Sequence, residues 1–232
     1  MNWVHHQGCS VKLTIFFHVK LYMKPHNQTL ATEYNVNRYG NANFGYVEPV
    51  EYRLKNLDEN DEKVEYMQYI PMIETLTELL QNDEIFSEVM NPHQTRDGKL
   101  RDFCDGAYCR QYPLFASDDC ALQIVLYFDD FGAVNPLGHR AKKYKICAFY
   151  FAIANVPPRD RSRLHSIHLT ASCFSSSVKR CGCGEILKPP VSDLVTLAQN
   201  GITVNISYRT FTGWIVCGGI RQSSCAFNWR IF

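Results

Sequence analysis

Between residues 72 and 90 (MIETLTELLQNDEIFSEVM) the apolar positions Ile73, Leu76, Leu79 and Leu80 recur at helical spacing, followed by Ile85, Phe86, Val89 and Met90. That period predicts helix. Pro71 suits a first helical turn, Asn82 caps a second short helix after a break, and Pro92 ends the segment. From Cys120 the pattern changes to short apolar runs bounded by turn residues. The runs 122–128 (LQIVLYF), 144–153 (YKICAFYFAI) and 166–174 (SIHLTASCF) predict three strands, the first ending in Asp129-Asp130 and the second in Asn155-Val156-Pro157-Pro158. Helical spacing returns over 185–200, where Ile186, Leu187, Val191, Leu194, Val195 and Leu197 mark one face. Pro189-Pro190 is expected in or just before the first turn of that helix, and Gly201 is its stop. A fourth strand is expected over 210–217 (TFTGWIVC). Three short-linked strands favour an antiparallel meander, and the helix then permits a crossover to a parallel strand.

The N-terminal part is less regular. The run 11–23 (VKLTIFFHVKLYM) is interrupted by Lys12, His18 and Lys20, and no small-residue cleavage site follows. It reads as an amphipathic strand rather than a secretion signal. Residues 35–45, with four Asn and two Gly, read as loop. The alternating segment 46–54 (YVEPVEYRL) predicts a strand that Pro49 confines to a sheet edge. The acidic stretch 58–65 (DENDEKVE) reads as a solvated linker. The expected organisation is an irregular extension over 1–45, a helical region over 46–117, a sheet-forming core over 118–217 and a divergent tail over 218–232.

Composition narrows the function classes. The chain of 232 residues is 46% hydrophobic and 13% aromatic, which suits a packed core and argues against wholesale disorder. Its 24 basic and 23 acidic residues leave a net charge of +1, so no global electrostatic grip on nucleic acid is written in the composition. No stretch approaches the roughly 18 uncharged apolar residues of a membrane-spanning helix. The 10 cysteines, without a signal peptide, read as free thiols of an intracellular protein. Cys104-x4-Cys109, His165-x2-His168 and Cys181-x-Cys183 lack the paired C-x2-C spacing of a zinc site, so no metal site is assigned. Neither a Walker motif nor a Rossmann glycine fingerprint is present, and no small-molecule cofactor is expected. Basic residues gather at 139–145 (HRAKKYK) and 159–163 (RDRSR). The first makes Arg140, Lys142, Lys143 and Lys145 the candidate DNA contacts, of a weak and non-specific kind that meets phosphates without reading bases.

Several of these segments together resemble a known family. Asp129-Asp130-Phe131, followed after an insertion by Asn135-Pro136-Leu137-Gly138, is similar to a strand ending D-G-F-N-P-(F/L)-G. Asn155-Val156-Pro157-Pro158 is similar to an N-(L/V)-P-P strand stop, and 188–202 (KPPVSDLVTLAQNGI) to a helix P-L-(I/V)-x-D-L-x-x-L-x-x-x-G-(I/V). Upstream, 46–51 (YVEPVE), the helix after Tyr69-Ile70-Pro71 and 100–106 (LRDFCDG) look like the leader of animal members. On these motifs, over 46 to about 217, the chain resembles transposase-derived proteins of the CACTA (En/Spm-like) group.

The resemblance implies an α+β fold, an incomplete ribonuclease H-like mixed sheet over 118–217 behind the helical N-terminal region. It implies an ancestral DDE/DDD transposase, in which three carboxylates hold two Mg²⁺ ions about 4 Å apart across a DNA phosphodiester. Asp129 is the first of those carboxylates by resemblance, and Asp130 points to the opposite face under strand alternation. The segment 209–217 (RTFTGWIVC) resembles the strand that leads to a G-D-N pattern, yet 218–232 contains neither Asp nor Glu. Asp129 is therefore expected to be vestigial, the ancestral Mg²⁺ site incomplete and the chain catalytically silent. The alternative is a non-catalytic DNA- or protein-binding module on the same scaffold.

Overall fold

Strand β3 (Leu122–Gly132) alternates sharply once it is paired. Its even positions Leu122, Ile124, Leu126 and Phe128 turn toward helices, while Val125, Tyr127 and Asp129 turn away. The computed structural model describes residues 35, 38–39, 45–91, 97–113, 115, 121–132, 145–206, 209–213 and 215–219, with the backbone alone for 108, 132, 209–213 and 215–219. The fold is α+β. Strand β4 (Lys145–Ile153) pairs antiparallel with β3 from Ile124↔Ile153 to Gly132↔Lys145. Strand β5 (His168–Phe174) pairs antiparallel with β4, with a bulge between Phe149 and Tyr150. The expected meander of three strands is thus present.

Two helices follow β5: α5 (Ser175–Cys181) and α6 (Cys183–Asn200), separated by Gly182 at φ 81°. A side chain there would be strained, and only glycine adopts that backbone readily. The chain then forms a hairpin of β6 (Ile202–Ile206) and β7 (Arg209–Gly213), and ends its described course in β8 (Ile215–Gly219). β8 lies parallel to β3, Leu122 beside Ile215 and Leu126 beside Gly219. The main sheet has the order β1-β2-β5-β4-β3-β8 and is mixed, with one parallel pairing.

Three expectations are corrected. The region 46–117 carries helices, α1 (Met72–Leu80), α2 (Asp83–Val89) and α3 (Ala107–Gln111), and opens with two strands, the first being the edge strand expected over 46–54. β1 (Val50–Leu54) and β2 (Glu65–Tyr69) form an antiparallel hairpin, and β2 joins β5, so the sheet extends across the expected boundary at 118. The acidic stretch 58–65 is, as expected, an exposed loop, and it forms the turn of that hairpin, with Glu65 alone buried at the start of β2. Asn56 Nδ2 donates to the carbonyls of Asp61 and Lys63, both at 2.7 Å, and Arg180 reaches across to Asp61 and Glu65. Burial pushes the Glu65 carboxyl up, but hydrogen bonds from Lys63, Ser177 and Arg180 outweigh it and hold it below the usual value.

The other two corrections concern strand and helix limits. The expected strand 210–217 falls on two strands in different sheets, β7 and β8. Pro189 and Pro190 lie inside α6 rather than at its start, where they leave the carbonyls of Glu185 and Ile186 without their helical partners. Packing supplies what propensity withholds, because Ile186, Leu187 and Pro190 are all buried against the sheet.

One face of the sheet carries the core. Leu122, Ile124, Phe151 and Ile153 pack on Leu76, Leu79 and Leu80 of α1 and on Leu194 and Leu197 of α6. Farther along the same face, Met67, Tyr69, Cys147, Phe149 and Cys173 meet Cys181, Cys183, Ile186 and Leu187. Each large apolar side chain buried this way contributes about 1.5–3 kcal/mol. The α4 helix (Pro158–Arg161) bridges the β4–β5 connection.

Candidate functional site around Asp129

Asp129 lies inside β3 rather than at its end, since the strand continues to Gly132. Its cross-strand partner is Ala148, and it shares the face turned away from the helices with Tyr127 and Tyr150. Those two rings stack with centroids 5.5 Å apart. Burial pushes the Tyr127 phenol up to about 12, and its hydroxyl is buried without a hydrogen-bond partner. Tyr150 is raised too, by burial first and by the Asp129 charge second. The Asp129 carboxylate is exposed, and its Oδ1 accepts the Asp130 backbone N–H at 2.8 Å.

Asp130 points to the opposite face, as alternation predicts. There Ser175 Oγ, the first residue of α5, donates to Asp130 Oδ1. Lys145 Nζ lies 3.7 Å from Asp130 Oδ2. Asp193, on α6, is committed elsewhere. It accepts the backbone N–H of Met72 at 2.9 Å and the hydroxyl of Tyr69.

No second carboxylate therefore converges on Asp129 among the described residues. No group of three or more His, Cys, Asp or Glu side chains there is placed to hold a metal ion. A pair of Mg²⁺ ions needs several charged oxygens around it, because Mg²⁺ gives up its water reluctantly. The donor set of one exposed Asp129 with its neighbour turned away does not fit that demand. β8 runs parallel beside β3 but reaches only Leu126 by Gly219. The sequence beyond it (IRQSSCAFNWRIF) holds no acid that could come alongside Asp129.

Of the four basic candidates, Arg140, Lys142 and Lys143 lie outside the described residues. Lys145 is half-exposed and bound to Asp130, so its charge is partly neutralised. The second basic stretch is not a patch. Arg159 and Arg163 both pair with Asp160, at 2.9 and 3.1 Å. Arg161 is nearly buried and forks onto Asp102, Nη1 to Oδ1 at 2.9 Å and Nη2 to Oδ2 at 2.5 Å. It also donates to the carbonyls of Ala154 and Val156.

Two of the motif residues thus have structural work that spacing did not reveal. Asp102 anchors Arg161, which closes the Asn155–Pro158 turn over the 3₁₀ turn Phe103–Asp105. Asn155 is buried. Its Oδ1 accepts from Gln123 N–H at 2.7 Å and its Nδ2 donates to the Ala121 carbonyl at 3.1 Å, which fixes the start of β3. A polar residue directly after an apolar strand was the one available signal.

The cysteine and histidine pairs are packing elements. Cys104 and Cys109 are buried with Phe115 and Ala121, and burial pushes the Cys104 thiol up to about 11. Cys173, beside Cys181 and Cys183 in the core, is pushed to about 12 by burial. Such thiols are poor nucleophiles. The His168 ring packs tilted against Phe151, centroids 5.1 Å apart and planes at 37°, and, although the residue as a whole is only partly covered, desolvation with a smaller effect of His165 brings it down to about 4. Among the described residues no helix is long and apolar enough to cross a membrane. No known protein-family model matches the chain, and no curated protein matches its sequence.

Proposed function

We propose that this chain is the remnant of a CACTA-like DNA transposase core that no longer cuts DNA. The observation that carries the reading is the sheet order β5-β4-β3-β8. Three antiparallel strands followed by a helix and a parallel strand beside the first are the arrangement a ribonuclease H-like core requires, and the aspartate expected from the motif lies on its first strand. Loss of chemistry follows from the donor set. Asp130 is held by Ser175 and Lys145, Asp193 is held by Met72 and Tyr69, and among the described residues Asp129 stands without a converging acid. One carboxylate neither pairs metals nor activates a nucleophile. On this reading the chain acts in the nucleus or cytoplasm, and any contact with DNA is weak and made to phosphates.

The second reading, a non-catalytic DNA- or protein-binding module on the same scaffold, is favoured by how completely the motif residues serve packing. Asn155, Asp102 and Arg161 all hold the fold together irrespective of catalysis. The test is incubation of the purified chain with duplex DNA and Mg²⁺ or Mn²⁺. No cleavage or strand transfer is expected, and Asp129→Ala changes nothing. Metal-dependent nicking that disappears in Asp129→Ala overturns the proposed silence. DNA retention without cleavage favours the module.

A further inference from the structure

We infer that the free edge of β1 pairs antiparallel with β1 of a second copy of this chain, about a two-fold axis through Tyr52. The inference is independent of the transposase reading. Among the described residues β1 is the terminal strand of the main sheet and has a partner, β2, on one side only. An open edge offers a row of backbone donors and acceptors to another strand, and soluble proteins normally blunt or occupy it.

The sequence of this edge is self-complementary. In VEYRL, an antiparallel pairing centred on Tyr52 puts Glu51 opposite Arg53 of the partner subunit, Val50 opposite Leu54 of the partner subunit, and Tyr52 opposite its own symmetry mate. By the two-fold, each charged pair occurs twice, as an isologous interface requires. The faces agree as well. Glu51 registers with Gln68 and Arg53 with Tyr66, on the sheet face turned away from the helices, while Tyr52 and Leu54 belong to the helix-covered core.

The same pattern excludes the neighbouring registers. A shift that keeps the faces but moves the centre to residue 51 sets Glu51 against Glu51. Moving it to residue 53 sets Arg53 against Arg53. Like charges directly opposite are unfavourable, so the register centred on Tyr52 is the one in which charges attract.

The free chain leaves these groups waiting. Val50 is 51% exposed at the edge. Glu51 and Arg53 are exposed, and among the described residues Arg53 has no ion pair. Glu51 accepts a long hydrogen bond from Gln68 Nε2, at 3.3 Å. The five-residue contact is short, so the association is weak and salt-sensitive rather than obligate.

Sedimentation velocity on the full chain, from micromolar to near-millimolar concentration at low salt, tests this. A monomer–dimer equilibrium that weakens with added salt is expected. Glu51→Arg and Arg53→Glu each turn two attractive pairs into repulsive ones, so each weakens the dimer by roughly tenfold or more. The double variant E51R/R53E restores complementarity and recovers the wild-type constant. Both positions are exposed, so the variants keep the fold, which circular dichroism checks. A chain that stays monomeric throughout overturns the inference. So does a dimer indifferent to the single reversals, or a double variant no better than either single one.

Discussion

Asp193, in the middle of α6, accepts the hydroxyl of Tyr69 at the end of β2, and the same carboxylate oxygen accepts the Met72 N–H at 2.9 Å. Helix α1 starts after Pro71, which offers no capping side chain, so the cap comes from a helix 121 residues away. A negative charge at a helix start is also favoured by the helix dipole. Burial, and after it the bond to Asp193, raises the Tyr69 phenol above its ordinary value. Removing the carboxylate leaves the phenol without its acceptor and the helix N–H with the longer bond to Tyr69 Oη, at 3.3 Å. Asp193→Ala is expected to cost about 2–3 kcal/mol and Tyr69→Phe about 1 kcal/mol. Urea unfolding of both variants measures this, and equal midpoints to wild type would remove the cap from the account.

His168 sets a pH dependence. Its folded value of about 4 lies below the ordinary 6.5, because the packed ring resists charging. The stability it contributes is complete above about pH 6.5 and is lost as pH falls toward 4, where the unfolded chain binds the proton first. The loss is on the order of 1–3 kcal/mol. Thermal unfolding between pH 7 and pH 4 should fall along that course, and His168→Phe should flatten it. A variant with the wild-type slope would assign the dependence to other groups.

Arg161 and Asp102 should be among the most sensitive positions in the chain. The fork is largely buried, and removing one partner strands the other. Arg161→Ala and Asp102→Ala are each expected to cost about 3–5 kcal/mol. Arg161→Lys should recover little, because an ammonium cannot serve Asp102 and the two carbonyls at once. Chemical denaturation of the three variants ranks them, and a lysine variant as stable as wild type would count against the fork.

Lys145 provides a test of the basic loop. Its bond to Asp130 lowers the charge it can offer to phosphates. Arg140→Ala, Lys142→Ala and Lys143→Ala together should reduce any DNA binding more than Lys145→Ala alone, and should reduce the salt slope by about 0.9 per lost contact. Asp130→Asn should strengthen binding by freeing Lys145. Gel-shift titrations over a range of salt read all of these, and unchanged binding in the triple variant would exclude the loop.

Local chemistry alone specified the meander and the long helix. The runs 122–128, 144–153 and 166–174 are apolar enough to need burial and end at strong stops, so their existence and antiparallel order follow from short connections. The period of 185–200 and Gly201 located α6 to within two residues at its start. Alternation alone also placed Asp129 and Asp130 on opposite faces. Tertiary contacts decided the rest. The acidic segment 58–65 is the solvated loop its composition suggests, but its bonds to Arg180, more than a hundred positions away, through Asp61 and the buried Glu65 could not be read locally. The split of 210–217 into two sheets depends on which edges are open, a property no local window contains. Pro189 and Pro190 stay helical because buried neighbours offset the lost hydrogen bonds. The commitments of Asp130, Asp193 and Arg161 depend on partners 45, 121 and 59 positions away, and only the folded chain brings such groups within hydrogen-bond reach.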